Sequence, residues 1–353
     1  MKFSKTITLW YSNNKRELPW RQTKDPYYIW LSEIILQQTQ VVQGLPYYVK
    51  FTHSFPSVFH LANAGESDVL KLWQGLGYYS RARNLHATAK YIANALNGKF
   101  PNNYKDLLKL KGVGDYTASA IASICFNEAT AVVDGNVYRV LSRYFGIDTP
   151  INSSQGNKEF KQLAQELIDV KNPATFNQAI MEFGATQCKP QNPDCNICPF
   201  NSSCIAFNKN RISELPVKLK AAKVKKRNFN FLVFIFNDKK TILEKREGKG
   251  IWQNLYQFPL IETEKATTFD DFVKLVKKHP IVKDKLVEMV LYNEDSIVHK
   301  LSHQHLYTKF WIVQVDRTSK NGILTSEIQN YAVPILIGNF IERFNFDSFN
   351  TFN

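Results

Sequence analysis

Four of the five cysteines fall within 17 residues, at Cys188, Cys195, Cys198 and Cys204, spaced C-x6-C-x2-C-x5-C. Four thiolates in one short segment can hold a metal group, and three chemistries compete for them. A disulfide framework is the weaker reading, because no secretory signal precedes the cluster. Structural zinc usually brings two tight CxxC pairs, whereas this segment has one pair and two wider arms. A [4Fe–4S] group tolerates such a compact loop, so the spacing favours iron–sulfur over zinc. Cys125 stands apart in the apolar run ASAIASICF and reads as a core residue.

Two carboxylates are a second source of chemistry. Glu33 is the only acid in IWLSEIIL, where desolvation disfavours the charged form, so a raised pKa and a general-acid role are expected. Asp134, in VVDGNV, precedes a helical stretch as its N-cap, where helix amides favour ionisation. Two carboxyls with pKa values pushed apart suit the cleavage of a glycosidic bond through an oxocarbenium-like state. Each also has a plain structural alternative: a buried arginine could pair with Glu33, and Asp134 could be a cap and nothing more. A third feature is Leu110-Lys111-Gly112-Val113-Gly114-Asp115-Tyr116-Thr117. Its two glycines allow a tight turn, and the amides opening the next helix favour an anion, although an ordinary interhelical turn would read the same way.

The elements that must position these groups come in two textures. Residues 1–215 carry apolar spacings of three and four, as in Ile29–Val42, Val69–Leu76, Ala87–Leu96 and Val137–Phe145, and predict an all-helical domain. Residues 228–353 predict an α+β domain: a strand at Phe229–Phe236, a turn at Lys239-Lys240, a strand at Thr241–Lys245, a helix at Phe269–Lys278 and a strand at Lys309–Val315. Between them, 216–227 (PVKLKAAKVKKR) reads as a basic linker. The length of 353 residues fits two domains. With 44% hydrophobic and 22% charged residues, wholesale disorder is excluded. No run approaches 18 apolar residues and the N-terminus lacks a signal-peptide core, so a cytoplasmic protein without a membrane span is expected. The net charge of +14 divides as +7 on 1–215, +6 on 216–227 and +1 on 228–353. The excess points to a polyanionic partner of the first domain and the linker.

The cysteine loop at the end of a helical domain, together with the LxGxG turn, resembles the endonuclease III superfamily of helix–hairpin–helix DNA glycosylases. That resemblance implies one [4Fe–4S] cluster on the four cysteines, and DNA backbone phosphate at Gly112, Val113 and Gly114. It narrows through LSEIILQQTQV (31–41), GLGYYSRARNLH (75–86), LKGVGDYTASAI (110–121) and VVDGNVYRV (132–140), which look like the adenine DNA glycosylase branch, the MutY family, over about residues 8–207. The match implies that Glu33 protonates adenine N7 and later activates water, that Asp134 stabilises or traps the sugar cation, and that Asn136 and Tyr116 support the site. Trp20, Arg21 and Gln178 would line the pocket for a flipped adenine, although many relatives have a carboxylate in place of Gln178. Gln38 and Tyr78 match the family's wedge residues, and Thr39 lies close to the opposing base. Where the bifunctional branch has a lysine this chain has Tyr116, and a phenol forms no Schiff base, so a monofunctional enzyme leaving an abasic site is implied. Tyr138 occupies a place where some relatives have lysine, so covalent trapping there is not expected.

GIWQNLYQFP (250–259) resembles the Nudix fold, but the helix that follows lacks the glutamate array that binds magnesium, so pyrophosphate hydrolysis is not expected. LSHQHL (301–306) resembles the loop with which the family reads 8-oxoguanine opposite adenine; Ser302 and His303 would probe the lesion and His305 would support them. Read as metal ligands, the two histidines lack a third partner. The implied whole is a bacterial, nucleoid-associated, monomeric repair enzyme acting on duplex DNA with 8-oxoG:A or G:A mispairs, with repair or replication factors as possible contacts of the linker. A lyase on oxidised pyrimidines and an iron–sulfur DNA sensor without catalysis are the competing readings.

Overall fold

A computed structural model describes residues 3–220, 224–282 and 286–349. Two compact units emerge, one of residues 1–63 with 84–220, the other of 64–83 with 221–353. A division along the chain at the basic segment would leave 64–83 in the first unit; their contacts assign them to the second.

The first unit is helical among its described residues, as its spacings predict. Helix Pro26–Ile35 begins at an Asp25 cap whose carboxylate accepts from the Tyr27 N–H, with proline at the first helical position. Eight of its residues are buried, including Glu33. The apolar pattern at 29–42 predicts one continuous stretch, but the chain breaks at 36–40 before helix Val41–Ser54 begins. Gln38 lies at the break with φ +55, a left-handed conformation that nothing in Leu36-Gln37-Gln38-Thr39-Gln40 signals. Helices Asp115–Phe126, Gly135–Phe145 and Pro173–Thr186 pack together and carry most of the remaining site residues.

In the second unit, strand Lys225–Phe236 is central. It pairs antiparallel with Leu260–Thr263 and in parallel with Gln304–Val315, which in turn pairs antiparallel with Leu286–Leu291 and Ile297–Lys300. The central strand is buried on both faces, as a covered parallel strand should be. Leu232, Phe234 and Phe236 meet Trp311, Val313 and Val315 in a core closed by Phe272 and Val276 of helix Phe269–Lys277. On the alternate positions, Phe231 stacks on Phe310, and Phe310 on Phe340 of helix Ile335–Arg343 at 4.2 Å.

Two expectations need correction. The basic segment is not a linker to its end, because Lys225, Lys226 and Arg227 already pair with Gln304, His305 and Leu306; residues 221–223 of that segment lie outside the described residues. Charge alone hid the strand. The single strand expected at 241–245 is two short ones, since Lys240–Thr241 pairs with Ile323–Leu324 while Glu244–Lys245 pairs with Tyr256–Gln257.

Residues 64–83 are bound into this unit by specific contacts. Lys71 Nζ donates to the carbonyls of Gln329 (2.5 Å) and Tyr331 (3.1 Å), Arg83 Nη1 to that of Gln253 (2.9 Å), and Asn254 Nδ2 to Glu66 Oε1 (2.6 Å). Among the described residues no helix is long and apolar enough to cross a membrane.

Candidate active site

Glu33 sits two residues before the end of its helix and is 9% exposed. Burial pushes its pKa up to about 7, with the charge of Asp134 acting in the same direction; a hydrogen bond from Tyr116 and the charge of Arg21 oppose it. The Tyr116 hydroxyl also lies 3.2 Å from Met181 Sδ, and burial beside the two carboxylates holds the phenol well above its ordinary value. Glu33, Tyr116 and Asp134 therefore share one electrostatic environment, built from three segments far apart in sequence.

Asp134 caps helix Gly135–Phe145. Its Oδ1 accepts from the N–H groups of Asn136 (2.9 Å) and Val137 (2.8 Å), and its Oδ2 from Asn136 Nδ2 (2.7 Å). The expectation that these amides leave it more easily ionised than a free aspartate is not met. Protein surrounds the carboxylate closely enough that burial outweighs the capping amides, the Asn136 side chain and the Arg139 charge, and the pKa is raised.

Sequence reading missed the arginine that holds Asn136. Arg139 Nη2 donates to Asn136 Oδ1 (2.8 Å) and to the Gly184 carbonyl (2.7 Å), and its Nε donates to the Cys188 carbonyl (2.8 Å). A guanidinium only donates, so the amide oxygen of Asn136 must face Arg139 and its NH2 must face Asp134. Space there is tight: a Cβ on Gly184 would lie 2.6 Å from Asn136 Cβ and 2.9 Å from its carbonyl oxygen. Gly184→Ala must therefore displace the residue that orients Asp134. A roughly 10- to 100-fold slower single-turnover base release is expected, with circular dichroism and duplex affinity little changed; a rate within threefold of wild type would contradict this.

Trp20 is buried with its ring edge-on to Tyr48, and Arg21 follows it in a short 3-10 turn. Arg21 Nη2 donates to Glu182 Oε2 (2.7 Å). Arg16 grips the same carboxylate through Nε and Nη2, both at 2.8 Å, and through its backbone N–H at 3.0 Å. Burial alone would raise the Glu182 pKa, but these hydrogen bonds hold it near 2. Gln178, one turn earlier on the same helix, accepts from Tyr11 Oη at 2.7 Å, which leaves its NH2 to face other partners.

The turn at 110–117 has the geometry its glycines require. Gly112 adopts φ +79, and a Cβ there would lie 2.7 Å from Asn84 Cβ. Val113 is buried and anchors the turn. Gly114 caps helix Asp115–Phe126 with no side chain on the free amides, so those N–H groups remain open to an anion. Gln38 is exposed and Thr39 half-buried in the break after the Glu33 helix, where the Thr39 N–H donates to the Leu36 carbonyl. In the second unit, Tyr78 is 50% exposed and, like Gln38, left-handed, at φ +46.

All five cysteines are free thiols, which removes the disulfide reading among the described residues. Cys188, Cys195, Cys198 and Cys204 line one cavity with Arg143 and Phe200. Arg143 is 2% exposed; it donates to the carbonyls of Leu215, Lys189 and Pro190 and approaches Cys188 Sγ at 3.5 Å. Cys125 is half-buried and apart from the others, its thiol pushed up to about 12 by burial.

Ser302 and His303 line a cavity of about 580 Å³ in the second unit, together with Tyr78, Trp252 and His299. His305 is in the strand that follows, paired with Lys226 and Lys300.

Known proteins resemble this chain over most of its length. Residues 31–168 match the HhH-GPD superfamily base excision DNA repair protein, and residues 231–343 match the NUDIX domain. An adenine DNA glycosylase of Buchnera aphidicola subsp. Baizongia pistaciae is 38% identical over 314 residues, 88% of this chain and 86% of that protein. The rat adenine DNA glycosylase is 44% identical over 226 residues, 61% of this chain and 44% of its own. Among solved structures, a thermostable thymine-DNA glycosylase aligns at a TM-score of 0.55 and 32% identity, over 59% of this chain and 95% of that one. From the Glu33 helix and its hairpin to the Nudix-type sheet, this chain belongs to the adenine DNA glycosylase family and is a DNA N-glycosylase.

Proposed function

We propose that the enzyme hydrolyses the N-glycosidic bond of adenine paired with 8-oxoguanine, and more slowly of adenine paired with guanine, in duplex DNA. The observation that carries this reading is the pairing of a buried Glu33 poised near pH 7 with Asp134 in one site. Glu33 is the acid that protonates adenine N7, weakening the bond to the sugar, and then the base that activates water. Asp134, held by Asn136 and its capping amides, faces the cationic sugar. Tyr116 orients Glu33, while Trp20, Arg21 and the free amide of Gln178 enclose the extruded base. The open amides that begin helix Asp115–Phe126, behind the Gly112–Gly114 turn, hold backbone phosphate, Gln38 and Tyr78 wedge the stack, and Thr39, Ser302 and His303 meet the opposing base.

With Tyr116 in place of a lysine, the product is an intact abasic site. Single-turnover assays on 8-oxoG:A and G:A duplexes test both points: adenine release faster from 8-oxoG:A, with no strand break until alkali is added. Equal rates would remove the lesion preference, and a nick formed with base loss would remove the monofunctional assignment.

Cys188, Cys195, Cys198 and Cys204 would hold a [4Fe–4S] cluster. The four thiols line one cavity with Arg143 and Phe200, and four soft thiolate ligands in one compact loop fit such a group. The cluster would supply iron–thiolate bonds that fix residues 188–204 as one rigid loop. The basic stretch at 216–227 suits further phosphate contacts or a repair partner, and the enzyme acts as a monomer on nucleoid DNA.

A further inference from the structure

We propose that Arg227 and Gln304 are positioning residues that set the hydrogen-bond polarity of Ser302 and thereby the preference for the base opposite the target adenine. The inference rests on the assignment of 301–306 to lesion reading and explains how that loop is set.

A chain of side chains leads from an ion pair to Ser302. Arg227 donates to both oxygens of Glu262, at 2.6 and 2.5 Å, and through Nη1 to Gln304 Oε1 at 3.2 Å. Gln304 is 6% exposed, and its Nε2 lies 3.3 Å from His303 Nε2. His303 Nδ1 lies 3.2 Å from Ser302 Oγ. Donor and acceptor roles follow from chemistry. The guanidinium can only donate, so the amide oxygen of Gln304 must face it and the amide NH2 must face the imidazole. The NH2 can only donate, so His303 Nε2 accepts and the proton of the neutral ring is on Nδ1. That N–H donates to Ser302 Oγ. Ser302 therefore spends one lone pair on His303 and keeps its O–H and the other lone pair for a ligand. With the opposite tautomer the hydroxyl would donate to His303 and could offer no proton.

This polarity matches one edge of 8-oxoguanine. The oxidised base places a carbonyl oxygen beside an N–H, where guanine has a C–H beside a bare nitrogen acceptor. One hydroxyl with a free O–H and a free lone pair can satisfy the carbonyl and the N–H together, as one water does on a cis-amide edge. Guanine leaves that lone pair unmatched. The loop and its cavity supply the place, and the Arg227–Gln304 relay supplies the proton inventory.

Gln304→Glu tests the relay with almost no change in shape. Its carboxylate accepts only, so it demands a proton from His303 Nε2; in the neutral ring Nδ1 then becomes an acceptor and takes the Ser302 O–H. Long-range ¹H–¹⁵N spectra of histidine-labelled full-length protein, with His303 assigned through His303→Asn, should show Nδ1–H in wild type and Nε2–H in Gln304→Glu. An Nε2–H ring in wild type, or a ring that keeps its Nδ1 proton in the variant, would overturn the relay. In single turnover, the ratio of adenine release from 8-oxoG:A to that from G:A should fall about tenfold in Gln304→Glu, matching Ser302→Ala. Arg227→Met, which frees the amide to turn over, should lower the ratio as well. A wild-type ratio in Gln304→Glu beside a reduced one in Ser302→Ala sinks the proposal. A wild-type ratio in Ser302→Ala sinks the lesion-loop assignment instead, and the tautomer spectra tell these failures apart.

Discussion

Glu33→Gln is expected to lose adenine release by roughly 10² to 10⁴-fold and yet to be the more stable protein above pH 7. Both effects come from the same burial. The folded-state pKa of Glu33 is raised from an ordinary 4.5 to about 7 because the carboxylate is enclosed in apolar helix. A carboxyl with a raised folded pKa binds its proton more tightly in the native state. Its contribution to stability is therefore fully present below about 4.5 and is lost as pH rises through 7. Ionising it at pH 8 costs on the order of 3 kcal/mol, which a neutral glutamine does not incur. Thermal or urea denaturation should favour the variant at pH 8 and show little difference at pH 4.5. The same advantage at both values would mean that burial of charge is not its source.

The wild-type rate should carry the complementary signature. In the proposed mechanism Glu33 acts first as an acid, so the single-turnover rate should fall about tenfold per pH unit above 7. The proposed mechanism needs Asp134 ionised, so its raised pKa should place the acidic limb above the ordinary aspartate range.

The second large effect is opposite in sign. Glu182→Gln should destabilise the enzyme by about 3–5 kcal/mol, because it leaves Arg16 and Arg21 without the carboxylate that pairs them. Here the folded pKa is depressed to about 2, so the contribution is present above 4.5 and vanishes as pH falls toward 2. The gap between wild type and variant should be widest near neutrality and close in acid. A gap independent of pH would point to packing rather than to the ion pair. Arg21 also bears on Glu33 through its charge, so freeing it should move the alkaline limb of the rate profile.

These two glutamates mark the limit of what the chain reveals before it folds. Each is a lone acid in an apolar helix, Glu33 in IWLSEIIL and Glu182 in AIMEFGA. Burial in such a pattern predicts a raised pKa, which holds for Glu33 and fails for Glu182. Whether a buried acid is raised or depressed depends on whether an arginine reaches it, and Arg16 comes from 166 residues away. Distance also hid Arg139 and Gly184, which meet only when two helices pack. The cysteine grouping and the glycine turn were legible because their geometry is local: the four thiols line one cavity and Gly112 is left-handed. Asp134 was half legible: its cap follows from sequence, but the protein that crowds its carboxylate does not. The helix break at Gln38 was not legible at all, since a left-handed residue without glycine or asparagine leaves no trace in composition.

Residues 64–83 carry a consequence for biogenesis. Their partners, Gln253, Asn254, Gln329 and Tyr331, lie about 170 to 260 positions further along the chain. At a synthesis rate of roughly 5–20 residues per second, this segment leaves the ribosome about ten to fifty seconds before those partners exist. Until then Lys71, Arg83 and Glu66 lack the groups to which they bond in the finished protein. The second unit therefore closes only near the end of translation, around a stretch made near its beginning. The nascent enzyme is most exposed to aggregation and proteolysis in that interval, and slower elongation would prolong it.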